Sequence, residues 1–328
     1  MRMRGSADLR VGLDIGGSKV HGVALDDAGE VVAQTRRPTL SGGDGVIATA
    51  AEVLQGLAAA TGTTVRGFGS VGVGVPGLVD PAEGGVAHAV NLGVAGDAMA
   101  LRASLGRLTG APVTVENDVN AAALGARLLL QLPEPDLAYL SIGTGMAAGV
   151  LLDGVLRRGA RHAAGEIGHI PLDPAGPLCA CGQRGCLEVL ASGSAIARRW
   201  PSPDGLPAAQ ALFRAADGGD PSARRIRAEV VGHLAGAVRL LVLTLDVDVV
   251  VLGGGVAQVG EPLGEAVRQA LVHLQAGSPF LSALDLPSRV VMSPSDRPVA
   301  AIGAALAGRR SPTRPPARHT ALAAGSPA

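Results

Sequence analysis

Two stretches of this chain repeat one pattern at a fixed distance, and that repetition limits the folds open to it. Asp14-Ile-Gly-Gly-Ser-Lys-Val-His-Gly22-Val-Ala-Leu-Asp26 matches Ser141-Ile-Gly-Thr-Gly-Met-Ala-Ala-Gly149-Val-Leu-Leu-Asp153. Ile15 and Ile142, Gly16 and Gly143, Gly22 and Gly149, and Asp26 and Asp153 coincide at a constant offset of 127. Each copy reads as a strand, a glycine turn, a second strand and an aspartate at the next bend. Each half has a later strand ending in a glycine turn, 71–77 in one and 247–255 in the other. Repetition of this kind marks a duplicated unit. Two β-β-β-α-β units are therefore expected to face each other across a cleft.

The remaining chain fits around these hairpins. Residues 9–15, 20–25, 30–35 and 66–75 read as strands and 45–60 as a helix. A short strand at 112–115 runs into Glu116-Asn-Asp-Val-Asn120 and an alanine-rich helix, 121–130. Helices are expected from near Ala191, at 220–245, at 260–275 and at 298–308, with a last strand at 288–292. We divide the chain into a small N-terminal domain, 1–117 with about 298–308, and a larger one, 118–297. Residues 309–328, rich in Arg, Pro, Ala and Ser without periodicity, read as a disordered tail.

Apolar residues make up 47% of the chain but aromatics only 2%, so its cores must be built from Ala, Val, Leu and Ile. Lys+Arg and Asp+Glu both number 28, which gives no electrostatic reason to expect nucleic acid or an anionic membrane as partner. The N-terminus lacks an apolar h-region, so a soluble cytoplasmic protein is expected. The apolar stretch 236–255 is interrupted by Arg239, Asp246 and Asp248 and would span a bilayer only at high cost.

Paired glycine turns aimed at one cleft suit polyphosphate, because glycine lets backbone N–H groups approach anionic oxygens. The turns are Gly16, Gly17 and Ser18, with the single lysine Lys19 beside them, and Gly143, Thr144 and Gly145. Asp14, at the strand end, could hold Mg²⁺ through water. Asp118, between the halves, has two readings. It is a general base for phosphoryl transfer to an alcohol, or it merely caps the helix that follows.

All three cysteines fall in Cys179-Ala-Cys181-Gly-Gln-Arg-Gly-Cys186-Leu-Glu188, downstream of Gly165-Glu166-Ile-Gly-His169. Three thiolates and one imidazole make a closed tetrahedral shell for one structural Zn²⁺. The alternative is three reduced, buried thiols. Gly182 and Gly185 allow the tight return that brings Cys186 back to the cluster. Glu166 and Glu188 bracket the loop and would present acceptors to a polar ligand.

These motifs resemble the ROK family of repressors, uncharacterised reading frames and sugar kinases. The resemblance runs from Val11 to about Gly308. It rests on Asp14-Ile-Gly-Gly-Ser-Lys, Gly74-Val-Pro-Gly, Glu116-Asn-Asp-Val-Asn, Gly143-Thr-Gly145, Gly165-Glu-Ile-Gly-His169, the cysteine block and Leu252-Gly-Gly-Gly-Val256. It implies an actin-like ATPase (ribonuclease H-like) α/β fold and an ATP-dependent hexose kinase most like the bacterial glucokinases. Kinases for N-acetylmannosamine, N-acetylglucosamine or another hexose, and a non-catalytic sugar sensor, are the alternatives. The resemblance makes Asp118 the base. Asn91, Asn117, Asp118, Glu166, His169 and Glu188 would bind sugar, His169 serving zinc as well. Gly253, Gly254 and Gly255 would lie against adenosine. A homodimer or homotetramer is implied. Only thirteen residues precede Asp14, too few for the DNA-binding module of the repressors. The sequence departs from the family at Val94, often tryptophan, at Ala126, usually acidic, and at Met146-Ala147-Ala148, usually richer in glycine.

Overall fold

The computed structural model describes residues 9–94, 98–132, 135–202 and 205–308; the tail at 309–328 lies outside them. The first half runs β1 (Arg10–Ile15), β2 (Lys19–Leu25), β3 (Val31–Pro38), α1 (Gly43–Thr61) and β4 (Ser70–Val75). It continues with a small ribbon, β5 (Leu78–Asp80) and β6 (Gly85–Ala87), then α2 (Leu101–Thr109), β7 (Val113–Asn117) and α3 (Asp118–Leu129). The second half runs β8 (Leu137–Ile142), β9 (Met146–Leu152), β10 (Val155–Leu156), the cysteine loop, α4 (Leu187–Ala191), α5 (Gly193–Arg199), α6 (Ala208–Asp217) and α7 (Pro221–Leu245). It ends with β11 (Val249–Gly253), α8 (Glu261–Gln275), α9 (Pro279–Ala283), β12 (Val290–Met292) and α10 (Val299–Ala307).

The two five-stranded sheets have matching orders, β3-β2-β1-β4-β7 and β10-β9-β8-β11-β12. In each, the first three strands are antiparallel and the last three parallel. The bounds of β1 and β2 shifted by 127 are those of β8 and β9, so the duplication extends to the strands themselves. This is the actin-like fold expected from the repeat.

The hairpins differ in one respect. Ile15 pairs with Val20, whereas Ile142 pairs with Met146, so the second turn holds one residue fewer. A one-residue slip turns every side chain of a strand to the opposite face. Accordingly Gly22 lies under Val53 and Leu57 of α1, while its counterpart Gly149 lies under the Val119 carbonyl of α3. β2 and β9 are mostly apolar and mostly buried on both faces, so each packs side chains on both sides of its sheet.

The elements deviate from the sequence expectation in several places. The strand expected at 66–75 begins only at Ser70, after a 3₁₀ turn at Val65–Gly67. β7 continues through Asn117, and α3 begins at Asp118, ahead of the alanine run. α2 and α6 were not expected at all; each is short and buries only a few apolar residues, such as Leu101 and Leu105 or Leu212 and Phe213.

One core packs α1 and α2 on the first sheet around Leu13, Ile15, Leu54, Leu57, Val73, Leu101 and Leu105. The other packs α6, α7 and α8 on the second sheet around Leu140, Ile142, Leu234, Val238, Leu241 and Leu263. α7 is long and apolar enough to cross a membrane by length and composition, but ten of its residues, from Ala223 to Val242, are buried in this core.

Between the sheets lie α10 and α3. A methyl group on Gly12 or Gly72 would overlap the Ala301 or Ala304 carbonyl of α10. One on Gly125 would overlap the Val299 carbonyl, and one on Gly303 that of Ala121. α10 therefore rests on the first sheet, and α3 on α10, backbone against backbone. Such contact accumulates dispersion and Cα–H···O interactions that no side chain could interpose without separating the elements. Gly303→Ala should cost about 3 kcal/mol or more through overpacking against fixed backbone. At about 2–4 °C per kcal/mol, calorimetry should show a Tm lower by roughly 6–12 °C. An unchanged Tm would mean that the helices do not meet at this glycine.

Candidate active site and metal loop

Asp14, Gly74 and Glu116 stand side by side across β1, β4 and β7, at the carboxyl ends of three parallel strands. Gly74 contributes no side chain, and the Asp118 Cα lies 3.5 Å from where its Cβ would be. Ligands of open parallel sheets bind outside these strand ends. The chain turns there from β7 into α3. Asn117 is the N-cap: its Oδ1 accepts from the N–H groups of Val119 (3.0 Å) and Asn120 (3.2 Å), and its Nδ2 donates to the Gly77 carbonyl (3.4 Å). Capping thus falls to Asn117. Asp118 is the first helical residue, its Oδ1 also facing the Val119 N–H at 3.0 Å.

Burial pushes the Asp118 carboxyl up to about 6, against the pull of the Val119 N–H and with the Glu166 charge adding to the rise. Burial pushes Asp14 up to about 7; the Asp118 charge adds and the Lys19 ammonium opposes. Asp118 thus lies within electrostatic reach of both Asp14 and Glu166.

Glu116 was given no role from the sequence, yet it ties the junction together. It is 1% exposed. Its Oε1 accepts from the Asn117 N–H and from Asn120 Nδ2, both at 3.0 Å, and its Oε2 accepts from Arg158 Nε at 2.8 Å and pairs with the same guanidinium at 2.6 Å. A buried carboxylate persists only when paired in this way. The signal available in the sequence was an acid directly before the cap, with no indication of its partner.

The first glycine turn closes with Gly16 N–H donating to the Lys19 carbonyl at 2.9 Å, and Thr39 Oγ1 donates to the Gly16 carbonyl at 2.6 Å. Gly17, Ser18 and Lys19 are exposed. A Cβ on Gly17 would stand 2.8 Å from the Asn91 carbonyl oxygen. The second turn closes from Gly143 N–H to the Gly145 carbonyl at 3.0 Å, and Thr144 is exposed. A Cβ on Gly143 would have nothing within 4 Å, whereas one on Gly145 would collide with the Glu188 carboxylate. In the third glycine segment, Gly253 makes room for the Tyr139 ring and Gly254 has φ 84° against the Ile142 backbone. Of the three, Gly255 alone borders open space.

The cysteine loop folds on itself. Cys179 N–H donates to the Gln183 carbonyl (2.8 Å) and Gly182 N–H to the Cys179 carbonyl (3.0 Å). Gly182 and Gly185 have φ of 91° and 65°, and a methyl on Gly185 would overlap the Asp173 carbonyl. The donor atoms of His169, Cys179, Cys181 and Cys186 lie within 4.8 Å of one another. His169 Nδ1 is 3.7 Å from Cys179 Sγ, and Cys181 Sγ is 3.6 Å from Cys186 Sγ. A tetrahedron with ~2.3 Å arms has edges of about 3.8 Å, so the set fits Zn²⁺. Gln183 amide groups hold the Cys181 thiol low while burial pushes that of Cys186 up. Glu166 opens the turn Ile167–His169, and Glu188 lies in the first turn of α4. The Met146 N–H donates to Glu188 Oε2 at 3.1 Å. The Met146 side chain itself is buried in the second core, and Val94 and Ala126 are likewise buried. These three departures from the family pattern are thus packing residues.

The chain is similar to known proteins over most of its length. The ROK family model matches residues 10–307. A glucokinase of Thermotoga maritima is 33% identical over 280 residues, 80% of this chain and 86% of the relative. An N-acetylmannosamine kinase of Vibrio vulnificus is 35% identical over 254 residues, 74% of this chain and 82% of the relative. A solved ROK family glucokinase from Streptomyces griseus, in complex with glucose and AMPPNP, superposes with a TM-score of 0.76 at 28% identity, covering 92% of this chain and 100% of that one.

Two measurements follow from the geometry. Purified protein should contain one zinc per chain by elemental analysis, and Cys181→Ala should lose it together with thermal stability; a metal-free, stable wild type would leave three reduced thiols. The second concerns charge. A carboxyl raised in the folded state contributes stability that is full below about 3.8, its unfolded value, and lost as pH rises through about 6 for Asp118. At pH 8 the buried charge is a cost, so Asp118→Asn should be more stable than wild type by about 1–2 kcal/mol. That advantage should vanish near pH 4, as differential melting at the two pH values would show.

Proposed function

The chain belongs to the ROK family, and from that premise we propose that it is an ATP-dependent hexose kinase acting on the 6-hydroxyl, with glucose as its substrate. The observation that supports this most is Asp118. It is freed from capping by Asn117, set beside Gly74 at the strand ends, and raised to about 6. Such a carboxylate is mostly ionised at neutral pH yet more basic than an ordinary aspartate, as a general base should be.

In this reading Asp118 accepts the sugar hydroxyl proton as that oxygen bonds to the γ-phosphorus of ATP and the bond to ADP breaks. Glu166, His169, Glu188, Asn91 and Asn117 orient the sugar, carboxylates and amides being able to satisfy adjacent hydroxyls. Of Asn117, the Oδ1 already serves the helix and one N–H of the amide serves the Gly77 carbonyl, which leaves the second N–H for a ligand. Gly16, Gly17, Ser18, Lys19, Gly143, Thr144 and Gly145 cradle the phosphates, and Gly253, Gly254 and Gly255 the adenosine side. Asp14 would hold Mg²⁺, which neutralises phosphate charge when bound. His169, Cys179, Cys181 and Cys186 would hold a structural zinc that fixes the sugar loop. The same reading carries a cytoplasmic homodimer or homotetramer, to be weighed by light scattering.

ADP release should be measured with glucose, mannose, N-acetylmannosamine and N-acetylglucosamine. Turnover greatest with glucose is expected; a preference for another hexose would reassign the substrate. Sugar-dependent thermal stabilisation without ADP release would instead identify a sensor. Asp118→Asn should lower kcat about 10²–10⁴-fold, with sugar affinity within about an order of magnitude. In the wild type, kcat/KM should fall about tenfold per pH unit below 6, as the base takes up its proton.

A further inference from the structure

The glycine turns face two ways. On the reading that Asn91 and Glu188 bind sugar, we propose that Gly145, and with it Gly17, is a positioning residue for the sugar. Each is bare because a sugar-binding group occupies the space where its side chain would stand.

The second turn shows this best because it contains its own control. Gly143 and Gly145 flank Thr144, and only Gly143 has an open face. The space over Gly145 is filled by Glu188 Oε2, with Cδ 3.3 Å from the position of a Cβ. The next amide, Met146 N–H, donates to the same Oε2 at 3.1 Å. Glu188 is thus anchored at both ends. Its backbone lies two residues after Cys186 of the metal loop, and its carboxylate lies against the phosphate turn of another strand pair. A charge-assisted bond to a fixed N–H sets where the remaining lone pairs point. An acceptor meant for two neighbouring hydroxyls needs that orientation.

The first turn repeats the arrangement with different chemistry. A Cβ on Gly17 would stand 2.8 Å from the Asn91 carbonyl oxygen and 3.4 Å from the Asn91 Cβ. Asn91 lies in the 3₁₀ turn Val90–Leu92, which is held by Gly42 N–H donating to the Leu92 carbonyl at 2.8 Å. One sugar-loop element therefore rests on each phosphate turn, so motion of a turn is transmitted to the sugar ligands.

The two glycines differ in what a methyl group would displace. At Gly17 it meets backbone, and the whole Asn91 turn must move. At Gly145 it meets the end of a flexible side chain, so the protein can fold normally with Glu188 swung aside. Gly145→Ala is therefore the cleaner variant. Calorimetric titration of glucose and N-acetylmannosamine, without nucleotide, should show sugar affinity at least about tenfold weaker. Affinity for a non-hydrolysable ATP analogue should fall clearly less than that for sugar, because the added methyl points at Glu188 and leaves the turn's backbone N–H groups in place. Gly143→Ala should do the reverse. In turnover, Gly145→Ala should raise KM for sugar by a larger factor than KM for ATP. In a Glu188→Ala background Gly145→Ala should cost nothing further, since its target is gone. Wild-type sugar affinity in Gly145→Ala, or losses that add in the double variant, would overturn the inference alone. A wild-type chain that binds neither these sugars nor others in the panel would remove the substrate reading, and this inference with it.

Discussion

The contact on which the rest of the molecule depends is the meeting of α3 and α10 between the two sheets. Gly125 and Gly303 let carbonyls of the opposing helix lie where side chains would be, and Gly12 and Gly72 do the same between α10 and the first sheet. Asp118 begins α3, so the position of the candidate base is inherited from this packing. A cleft whose walls were joined through long side chains would have rotameric slack at its hinge. Here the join is backbone on backbone, and the strand ends carrying Asp14 and Asp118 are fixed relative to one another by it.

Much of this was legible in the sequence. The repeat located both hairpins, β1–β2 to within one residue at each end, and the cysteine block with His169 identified four donors that the fold brings within 4.8 Å of one another. Local patterns suffice for such features, because a hairpin or a metal loop is made by residues near one another in the chain. Glu116 was illegible for the opposite reason: its partner Arg158 is 42 positions away. The reasons for individual glycines were hidden in the same way. Gly253 and Gly255 belong to one run of three glycines, yet one accommodates Tyr139 and the other borders open space. α2 and α6 escaped because their short apolar periods do not stand out from the alanine- and leucine-rich background.

The candidate site carries a strain of charge. Asp14 and Asp118 are held in surroundings that disfavour their ionised forms, while Glu116, close by, is fully matched by Arg158, Asn120 and a backbone N–H. Folding thus satisfies the carboxylate that shapes the junction and leaves less satisfied those that face the cleft. Groups kept in that condition gain most from a ligand that brings protons or cations to them.

The shorter turn between β8 and β9 has a consequence for exchange between the halves. The repeat suggests that one hairpin could be grafted onto the other's place, position for position. The inverted facing of β9 forbids it. Residue 24 faces the first core in β2, whereas its counterpart Leu151 faces α3, and Val23 and Val150 are reversed in the same sense. A transplanted hairpin would carry its register with it and turn the wrong side chains toward the joining helices. Exchange of the hairpins would therefore require one turn residue to be added or removed before their side chains met the packing of the new site.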